Sequence, residues 1–595
     1  MPPNPFRSMS SSRASRLPVM GALLIAGLAT VNAAAAQANL PVIKPIRSCA
    51  ELTQTDLGKV ADTPGKVTAA EQFDTDKGKF CRVTARFEPM IIVTVYLPVE
   101  RWTQRYIQNG NGSGAPGPNG FGYSGGCMPA LNGEFVVGAN NLGHFEPGAP
   151  PAFTSVQGWE WATDPQRRID YAYRATHTNV LAGRALMKAY YGRAPRYSYF
   201  MGCSEGGRDA LMEAQRFPED FDGVVAGAPA ALQAEQETTF HLWIARSNMR
   251  ADGSNILMPE KRRLAHDAVL AQCDTFSGIK DGLLQDPGAC QFDPASLRCP
   301  AGAADTTRCL TAEEVTALQK MYHGAQDPEG TNLHFGLQRG GEALWNLPDT
   351  PTGEPGGARQ AALAMAYLFL PTVTPAAADY RQMAFTKAGF ALGSSLASLY
   401  DAVNTNLKPF ASRGGKLILW HGLSDFQIPP GATLGYYRAV RNFMGERASE
   451  QFVRLFMLPG VGHCSGGDGY DQIDTLSAIM AWRESNQAPR QIMGGKPAMR
   501  PAPGANPAGG PARPILPYAT PTPTLSATRP VFPYPNVARY SGRGDPSDGA
   551  SYESAARPEA PAPYFDNEAY RQFGPDNQSF FRVQDGKLVA LKRVR

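Results

Sequence analysis

Three residue types that together can activate a hydroxyl group occur far apart in this chain. Ser204 lies in the motif GCSEG of residues 202–206, and G-x-S-x-G is typical of a serine on a sharp turn between a strand and a helix. His463 lies in the stretch LPGVGHCSGG of residues 458–467. A histidine can take the proton of a serine hydroxyl near neutral pH, so this pair predicts nucleophilic attack by Ser204.

A carboxylate is needed to orient such a histidine and to stabilise its charged form. In hydrolases with this serine motif, the order along the chain is serine, acid, histidine. Asp425 is the preferred candidate because it follows the apolar, strand-like stretch KLILWHG. Asp401 precedes that stretch and Asp468 follows the histidine, and these two remain the alternatives.

Cysteines stand directly beside two of these residues. Cys203 precedes Ser204, and Cys464 follows His463. If the serine and the histidine lie within hydrogen-bond distance, their neighbours come close enough for a disulfide, which needs Cα atoms about 4.4–6.8 Å apart. The sequence therefore predicts a disulfide that ties the two loops together, and the alternative is two unrelated buried cysteines.

Strand-like and helix-like segments alternate along the chain. Residues 90–98 (MIIVTVYLP) are typical of a strand, residues 414–430 of a buried strand followed by a polar loop, and residues 167–192 have helical spacing of their apolar positions. This alternation predicts an α/β fold with a mostly parallel sheet covered on both faces. Residues 230–412 interrupt the pattern and hold four of the nine cysteines, which favours an inserted lid over a self-standing neighbouring domain.

The two ends of the chain differ from its body. Residues 1–36 combine arginines, an apolar core and small residues, which indicates a cleaved signal peptide and a secreted or periplasmic protein; a membrane anchor is the alternative. No later segment is apolar enough over a sufficient length to predict a span. Residues 496–528 are a linker rich in proline and glycine, and residues 529–595 are expected to dock on the core with a loose tail.

The formal charge of +4 on 595 residues, without a stripe of lysine or arginine, argues against nucleic acid as a partner.

The motif GCSEGG, followed by a late aspartate and by HC at residues 463–464, resembles the CS-D-HC arrangement of the tannase/feruloyl esterase family. The resemblance implies an α/β-hydrolase core, residues 37–229 and 413–495, with the lid inserted between its two parts. It also implies a carboxylic ester hydrolase (EC 3.1.1) that acts on aromatic esters of the feruloyl, galloyl or terephthalate-monoester type.

An oxyanion hole needs two donors. The position after the nucleophile makes the backbone N–H of Glu205 the first donor, and its carboxylate is expected only to cap the helix or to pair at the surface. The resemblance places the second donor at Gly112 in a glycine-rich loop.

The resemblance also implies the pairs Cys49–Cys81, Cys273–Cys290 and Cys299–Cys309, which leaves Cys127 over. A further disulfide of the family has no partners here, because its matching positions are Phe532 and Glu553.

Residues 273–290 resemble a structural calcium loop of the family. The ligands would be the side chains of Asp274, Ser277 and Asp281 and the carbonyls of Ile279 and Leu283. Ser277 stands where the family usually has another aspartate, so binding should be weaker. The alternative is a turn without metal.

Two further residues are candidates for substrate binding, Trp345 by resemblance and Arg359 by the bidentate contacts that a guanidinium can make. Trp345 would stack on a planar acyl group, or would simply pack inside the lid. Arg359 would bind a substrate carboxylate, or would be an ordinary surface arginine. The predicted function is thus a secreted serine esterase for small aromatic esters, with a serine peptidase on the same core or a non-catalytic binding protein as alternatives. The sequence does not predict the oligomeric state.

Overall fold

The computed structural model describes residues 37–75, 78–110, 133–144, 153–355, 357–498, 524–557 and 559–591. Nine strands from these ranges form one mixed sheet in the order β1-β2-β3-β5-β4-β6-β7-β8-β9. Along this order, the three pairs β1–β2, β2–β3 and β3–β5 are antiparallel, and all five later pairs are parallel. The strands are β1 (Gly65–Thr75), β2 (Gly78–Phe87), β3 (Ile91–Pro98), β4 (Arg105–Asn109), β5 (Phe135–Asn140), β6 (Tyr197–Cys203), β7 (Gly223–Gly227), β8 (Lys416–Gly422) and β9 (Val453–Leu458).

Helices cover both faces of this sheet. The α-helices of the described ranges are α1 (Pro165–Ile169), α2 (Ala175–Tyr191), α3 (Glu205–Arg216), α4 (Gln233–Glu235), α5 (His241–Ser247), α6 (Pro259–Cys273), α7 (Ala312–His323), α8 (Ala358–Ala364), α9 (Lys387–Gly393), α10 (Ala397–Tyr400), α11 (Lys408–Ser412), α12 (Pro430–Met444), α13 (Glu446–Ser449) and α14 (Thr475–Ser485). Three π-helical segments, Asp170–Arg174, Gln236–Phe240 and Met365–Phe369, continue α1, α4 and α8. None of the described helices combines the length and the apolar character that a bilayer span requires.

The central strands are apolar on both sides because both faces are covered. Successive side chains of a strand point to opposite faces of the sheet. In β8, Leu417 and Leu419 join the core formed with α2, α3 and α12, while Ile418 and Trp420 join the core formed with α14. The near-continuous apolar run of β8 is therefore the signature of a parallel strand buried on both faces, as the sequence predicted.

A long inserted segment, residues 228–415, connects β7 to β8 and carries α4 to α11. It has its own apolar cluster, which includes Phe240, Val269, Met321 and Trp345 as well as the disulfide-bonded Cys273. Its 361–370 region packs with α1 and with the helical stretch before α2. The inserted segment contains the range 230–412 that the sequence predicted as a lid.

The C-terminal part returns to the core. Strands β10 (Gln472–Ile473), β11 (Ile492–Pro497) and β12 (Leu525–Val531) form a small antiparallel sheet, and Tyr534 N–H donates to the carbonyl of Leu455 in β9 at 2.8 Å. Two hairpins follow, β13 (Val537–Tyr540) with β14 (Tyr552–Ala555) and β15 (Phe581–Gln584) with β16 (Lys587–Ala590).

A buried ion pair joins the sheet to α14. Glu484 accepts two hydrogen bonds from the Arg105 guanidinium at 2.8 and 2.6 Å, and one from the Tyr199 hydroxyl at 2.8 Å. The backbone N–H of Ala38 also donates to Glu484 at 2.7 Å. The Arg105 and Glu484 side chains are 4% and 0% exposed, so each depends on the other for neutralisation.

We expect Glu484→Gln to lower the free energy of unfolding by about 3–5 kcal/mol, because it leaves the Arg105 charge buried without a counter-charge. Urea unfolding measures the change. Glu71→Gln is the matched control: its partner Arg82 and Glu71 itself are 40% and 60% exposed, so the loss should stay below about 1 kcal/mol. Equal losses of stability in both variants would contradict the conclusion that Arg105 and Glu484 depend on each other for neutralisation.

Candidate active site

Ser204 lies between β6 and α3, at the turn that the sequence motif predicts. Its backbone has φ 67° and ψ −125°, a left-handed conformation that is unfavourable for a residue with a side chain. Such strain occurs at functional sites where the surroundings impose it. The turn places the serine beyond the C-terminal end of β6, at the beginning of α3.

The first glycine of the motif is required by close backbone contact. A Cβ atom on Gly202 would lie 2.3 Å from the carbonyl oxygen of Gly206, and one on Gly110, outside the motif, would lie 2.6 Å from the Cα atom of Gly206. The tight turn around Ser204 therefore needs Gly202 and Gly110 free of side chains. This is the physical reason for the first glycine of the pattern G-x-S-x-G in this chain.

The three predicted side chains meet at the C-terminal edge of the sheet. Asp425 follows β8 and His463 follows β9, and both strands run parallel to β6. The Ser204 hydroxyl lies 2.9 Å from His463 Nε2, and His463 Nδ1 lies 2.8 Å from Asp425 Oδ2. Neither alternative acid takes this place: Asp401 accepts from the backbone N–H of Ala234, and Asp468 is exposed.

Asp425 is fully buried and accepts hydrogen bonds on both oxygens. Burial alone would raise the pKa of Asp425, but His463 and His421 hold it well below its usual range. The backbone N–H groups of Gln427 and Ile428 donate to the other oxygen at 2.8 and 3.0 Å. The carboxylate therefore stays ionised and fixed toward His463.

His421 is a positioning residue that the sequence analysis missed. Its Nε2 lies 3.1 Å from Asp425 Oδ2, and its Nδ1 lies 2.7 Å from the Thr433 hydroxyl. The only signal was its place in the last residues of the buried strand β8, four positions before Asp425. A buried histidine inside an apolar strand needs hydrogen-bond partners, and that requirement could have identified it.

Four disulfides are present in the described residues, and they join the four predicted pairs: Cys49–Cys81, Cys203–Cys464, Cys273–Cys290 and Cys299–Cys309. The Cα atoms of Cys203 and Cys464 are 5.9 Å apart. Cys464 itself has a left-handed backbone, with φ 59°, directly after the histidine. The disulfide therefore links the two loops that carry Ser204 and His463.

The first residue of α3 supplies one expected oxyanion donor. The N–H of Glu205 is free of intrahelical partners because the first N–H groups of a helix have none. Gly112, the second expected donor, lies outside the described residues. The surface expectation for the Glu205 carboxylate was wrong: the residue is 1% exposed and is paired with the fully buried Arg208.

A cavity of about 230 Å³ opens beside Ser204. Trp345 lines it, packed edge-on against Tyr322 with ring centroids 5.6 Å apart. Arg359 does not line it and lies instead in another cavity beside Leu363 and Tyr380. The described lining residues are Ser204, Glu205, Ala230, Gln233, Gln236, Glu237, His241, Ile244, Ala245, Leu337, Trp345, Asn346, Leu347, Pro355, Gly357, Gln360, Phe426 and Gln427.

The predicted calcium loop contains one buried acidic group with a free oxygen. Asp274 is 4% exposed; its Oδ2 accepts from Gly282 N–H at 2.8 Å, and its Oδ1 has no partner among the described residues. Burial raises the pKa of Asp274 above its ordinary value. A cation beside Oδ1 would relieve this cost, so the loop fits a metal ion at this point.

The other donors of the loop are partly engaged. The Ser277 hydroxyl donates to the Ile279 carbonyl at 2.5 Å, and the Leu283 N–H donates to Asp281 at 3.1 Å. The second Asp281 oxygen pairs with the Arg529 guanidinium at 2.5 Å. This pairing reduces the negative charge that remains for a cation.

A serine turn after β6, an acid after β8 and a histidine after β9 define an α/β-hydrolase of the esterase and lipase type. The sequence pattern of the family described as Tannase and feruloyl esterase matches residues 75–555. The chain belongs to this family, as the CS-D-HC motif predicted, and it is a carboxylic ester hydrolase.

Individual relatives agree with this assignment. The chain is 31% identical over 583 residues to an uncharacterised esterase of Xanthomonas campestris. This alignment covers 90% of this chain and 93% of the relative. It is 32% identical over 515 residues to the mono(2-hydroxyethyl) terephthalate hydrolase of Piscinibacter sakaiensis, with coverage of 78% and 81%. The crystal structure of feruloyl esterase B from Aspergillus oryzae has the same fold, with a TM-score of 0.68, 24% identity and coverage of 85% and 100%.

We expect the double variant Cys203→Ser, Cys464→Ser to lose at least about fivefold in kcat/KM and to melt at a lower temperature. The disulfide closes 261 positions of chain, which corresponds to roughly 5 kcal/mol in the chain-entropy account, and it holds the histidine loop against the serine turn. Ester hydrolysis and thermal unfolding measure the two effects.

The control for this change is the double variant Cys299→Ser, Cys309→Ser. It opens a disulfide that lies away from the site and joins cysteines only 10 positions apart in the sequence. It should keep kcat/KM within about twofold of the parent protein. An active-site double variant with unchanged kcat/KM would show that the loops hold their places without the covalent link.

Proposed function

We propose that this chain is an exported serine esterase that hydrolyses carboxylic esters of aromatic acids through an acyl-enzyme. The observation that carries the proposal is the contact of 2.9 Å between the Ser204 hydroxyl and His463 Nε2, with the ionised Asp425 on the other ring nitrogen. Export is supported by the signal-like residues 1–36 and by the disulfides, which persist in oxidising compartments.

In the first half of the reaction, His463 Nε2 takes the proton of Ser204 as the hydroxyl oxygen attacks the ester carbonyl. The Asp425 carboxylate accepts from Nδ1–H and stabilises the imidazolium. The developing oxyanion accepts a hydrogen bond from the Glu205 N–H, and Gly112 is proposed as the second donor.

In the second half, His463 gives its proton to the leaving alkoxide, and the alcohol departs. A water molecule then loses a proton to His463 and attacks the acyl group on Ser204. Collapse of the second tetrahedral intermediate returns the proton to Ser204 and releases the carboxylic acid.

We assign the acyl group to the cavity beside Ser204. Trp345 and Phe426 offer aromatic surface there, which suits a planar ring. Two of the relatives are named for feruloyl and terephthalate esters, whose acids carry a planar ring. The inserted segment is the proposed lid, because it contributes Trp345 and most other walls of this cavity while the three catalytic residues lie outside it.

Ser204→Ala should reduce the hydrolysis of aromatic esters by roughly 10³-fold or more while the protein stays folded, because no other group replaces the nucleophile. A panel of methyl ferulate, methyl gallate, chlorogenate and mono(2-hydroxyethyl) terephthalate measures turnover, and a fluorophosphonate probe should label the parent protein but not Ser204→Ala. The exposed Ser296→Ala is the control and should retain full turnover and labelling. Full turnover in Ser204→Ala would remove the serine mechanism.

We further propose a structural calcium ion in the loop of residues 274–283. Asp274, Ser277 and Asp281 would contribute side-chain oxygens, and Ile279 and Leu283 would contribute carbonyls. The unpartnered Asp274 oxygen supports this proposal. The ion would fix the loop next to the Cys273–Cys290 disulfide and would take no part in the chemistry at Ser204.

Calcium in millimolar excess should raise the unfolding temperature of the protein by a few degrees, because it binds the folded loop alone. In Asp274→Asn the rise should disappear, since the ion loses its most buried carboxylate. Asp252→Asn, on an exposed turn of the inserted segment, is the control and should preserve the rise. No shift in the parent protein would contradict the calcium site, whatever the esterase activity.

A further inference from the structure

One wall of the cavity beside Ser204 carries an acidic side chain that the reaction steps above do not use. Glu237 lines this cavity together with His241, four residues further along the chain. Both belong to the continuous helical stretch 233–247, in which residues Gln236–Phe240 form a π-helical turn. Such turns re-aim side chains and are frequent at functional sites.

The hydrogen bonds of His241 leave Glu237 as the group that can meet a ligand. His241 Nδ1 lies 3.1 Å from Glu237 Oε2, and His241 Nε2 lies 2.8 Å from the carbonyl oxygen of Gln427. Both ring nitrogens are therefore occupied. The other oxygen, Glu237 Oε1, has only a long contact of 3.5 Å with Gln236 Nε2 among the described residues.

The pair with His241 keeps Glu237 an acceptor. Burial on its own would lower the pKa of His241, but the charge and the hydrogen bond of Glu237 outweigh it and raise the pKa. The carbonyl of Gln427 can only accept, so His241 Nε2 carries a proton, and His241 Nδ1 donates to Glu237 Oε2. The second oxygen of the Glu237 carboxylate remains available as a hydrogen-bond acceptor.

The described residues that line the cavity include no lysine or arginine that would bind an anion, and the ring nitrogens of His241 are already engaged. The second carboxylate on the wall, Glu205, is 1% exposed and is clamped by Arg208, whereas Glu237 is 7% exposed. Glu237 is thus the less buried of the two carboxylates that line the cavity.

We propose that Glu237 accepts a hydrogen bond from a hydroxyl group on the ring of the bound acyl group, so that the cavity selects phenolic acids. This inference rests on the proposed function, because it places the acyl group in the cavity beside Ser204. The cavity, at about 230 Å³, lies below the usual range for drug-sized ligands and suits one substituted ring. An acyl group with a carboxylate on its ring would instead meet Glu237 as a like charge.

The test compares kcat/KM for methyl cinnamate, methyl 3-hydroxycinnamate, methyl 4-hydroxycinnamate and mono(2-hydroxyethyl) terephthalate. In the parent protein, at least one hydroxylated ester should exceed methyl cinnamate by about 10- to 100-fold, the range for a hydrogen bond to a charged group. The terephthalate ester should fall at least about tenfold below that hydroxylated ester.

Glu237→Gln should lower the ratio of the hydroxylated ester to methyl cinnamate at least about fivefold, mainly through KM. The same variant should raise kcat/KM for the terephthalate ester relative to kcat/KM for the hydroxylated ester. A loss of stability or of general packing would reduce all esters alike and would leave both ratios unchanged. Glu329→Gln, on the exposed surface of the inserted segment, is the control and should keep both ratios.

Failure of this inference is distinct from failure of the serine mechanism. Hydrolysis of methyl cinnamate by the parent protein, lost in Ser204→Ala, establishes the esterase by itself. Equal kcat/KM for methyl cinnamate and both hydroxylated esters would then overturn the role of Glu237 alone. Ratios that Glu237→Gln leaves unchanged would overturn it equally.

Discussion

The site depends on three parallel strands that end at the same edge of one sheet. β6, β8 and β9 are separated by long stretches of chain, yet their hydrogen bonding through β7 brings the residues after them together. The Cys203–Cys464 disulfide then links the two loops covalently, directly beside Ser204 and His463. The left-handed backbone of Ser204 and Cys464 is tolerated because the sheet and the disulfide together impose it.

The sequence was most informative for residues that belong to a known motif and have cysteines directly beside them. The serine turn, the acid after β8 and the histidine loop were predicted because each has a motif or a place in a fixed order along the chain. The four disulfide pairs followed from the same logic and from family resemblance. The α/β class followed from strands buried on both faces, which read as continuous apolar runs.

The residues that escaped prediction have no local pattern. His421 and Glu237 each contact a partner four positions along the chain, Asp425 and His241, but no motif marks either pair. The place of His421 in an apolar strand was the one available signal, and the place of Glu237 on the cavity wall depends on the fold. Arg359 was suggested by the chemistry of its guanidinium, but it lines a different cavity together with Tyr380, while its neighbour Gln360 lines the cavity beside Ser204. The Glu205 carboxylate was expected at the surface because the sequence alone does not show that α3 is buried. Its burial depends on Arg208 and on elements from elsewhere in the chain.

The inserted segment separates two tasks along the polypeptide. The side chains that we propose to break the ester bond all lie before residue 228 or after residue 415, while Glu237, Trp345 and Gln360 lie between these limits. Substitutions in this one stretch can therefore change which acid is accepted without displacing the groups that do the chemistry. Such a chain can acquire new substrates when this one contiguous segment is replaced. The new segment must still pack on the core, as it does here through the contact between His241 and the carbonyl of Gln427.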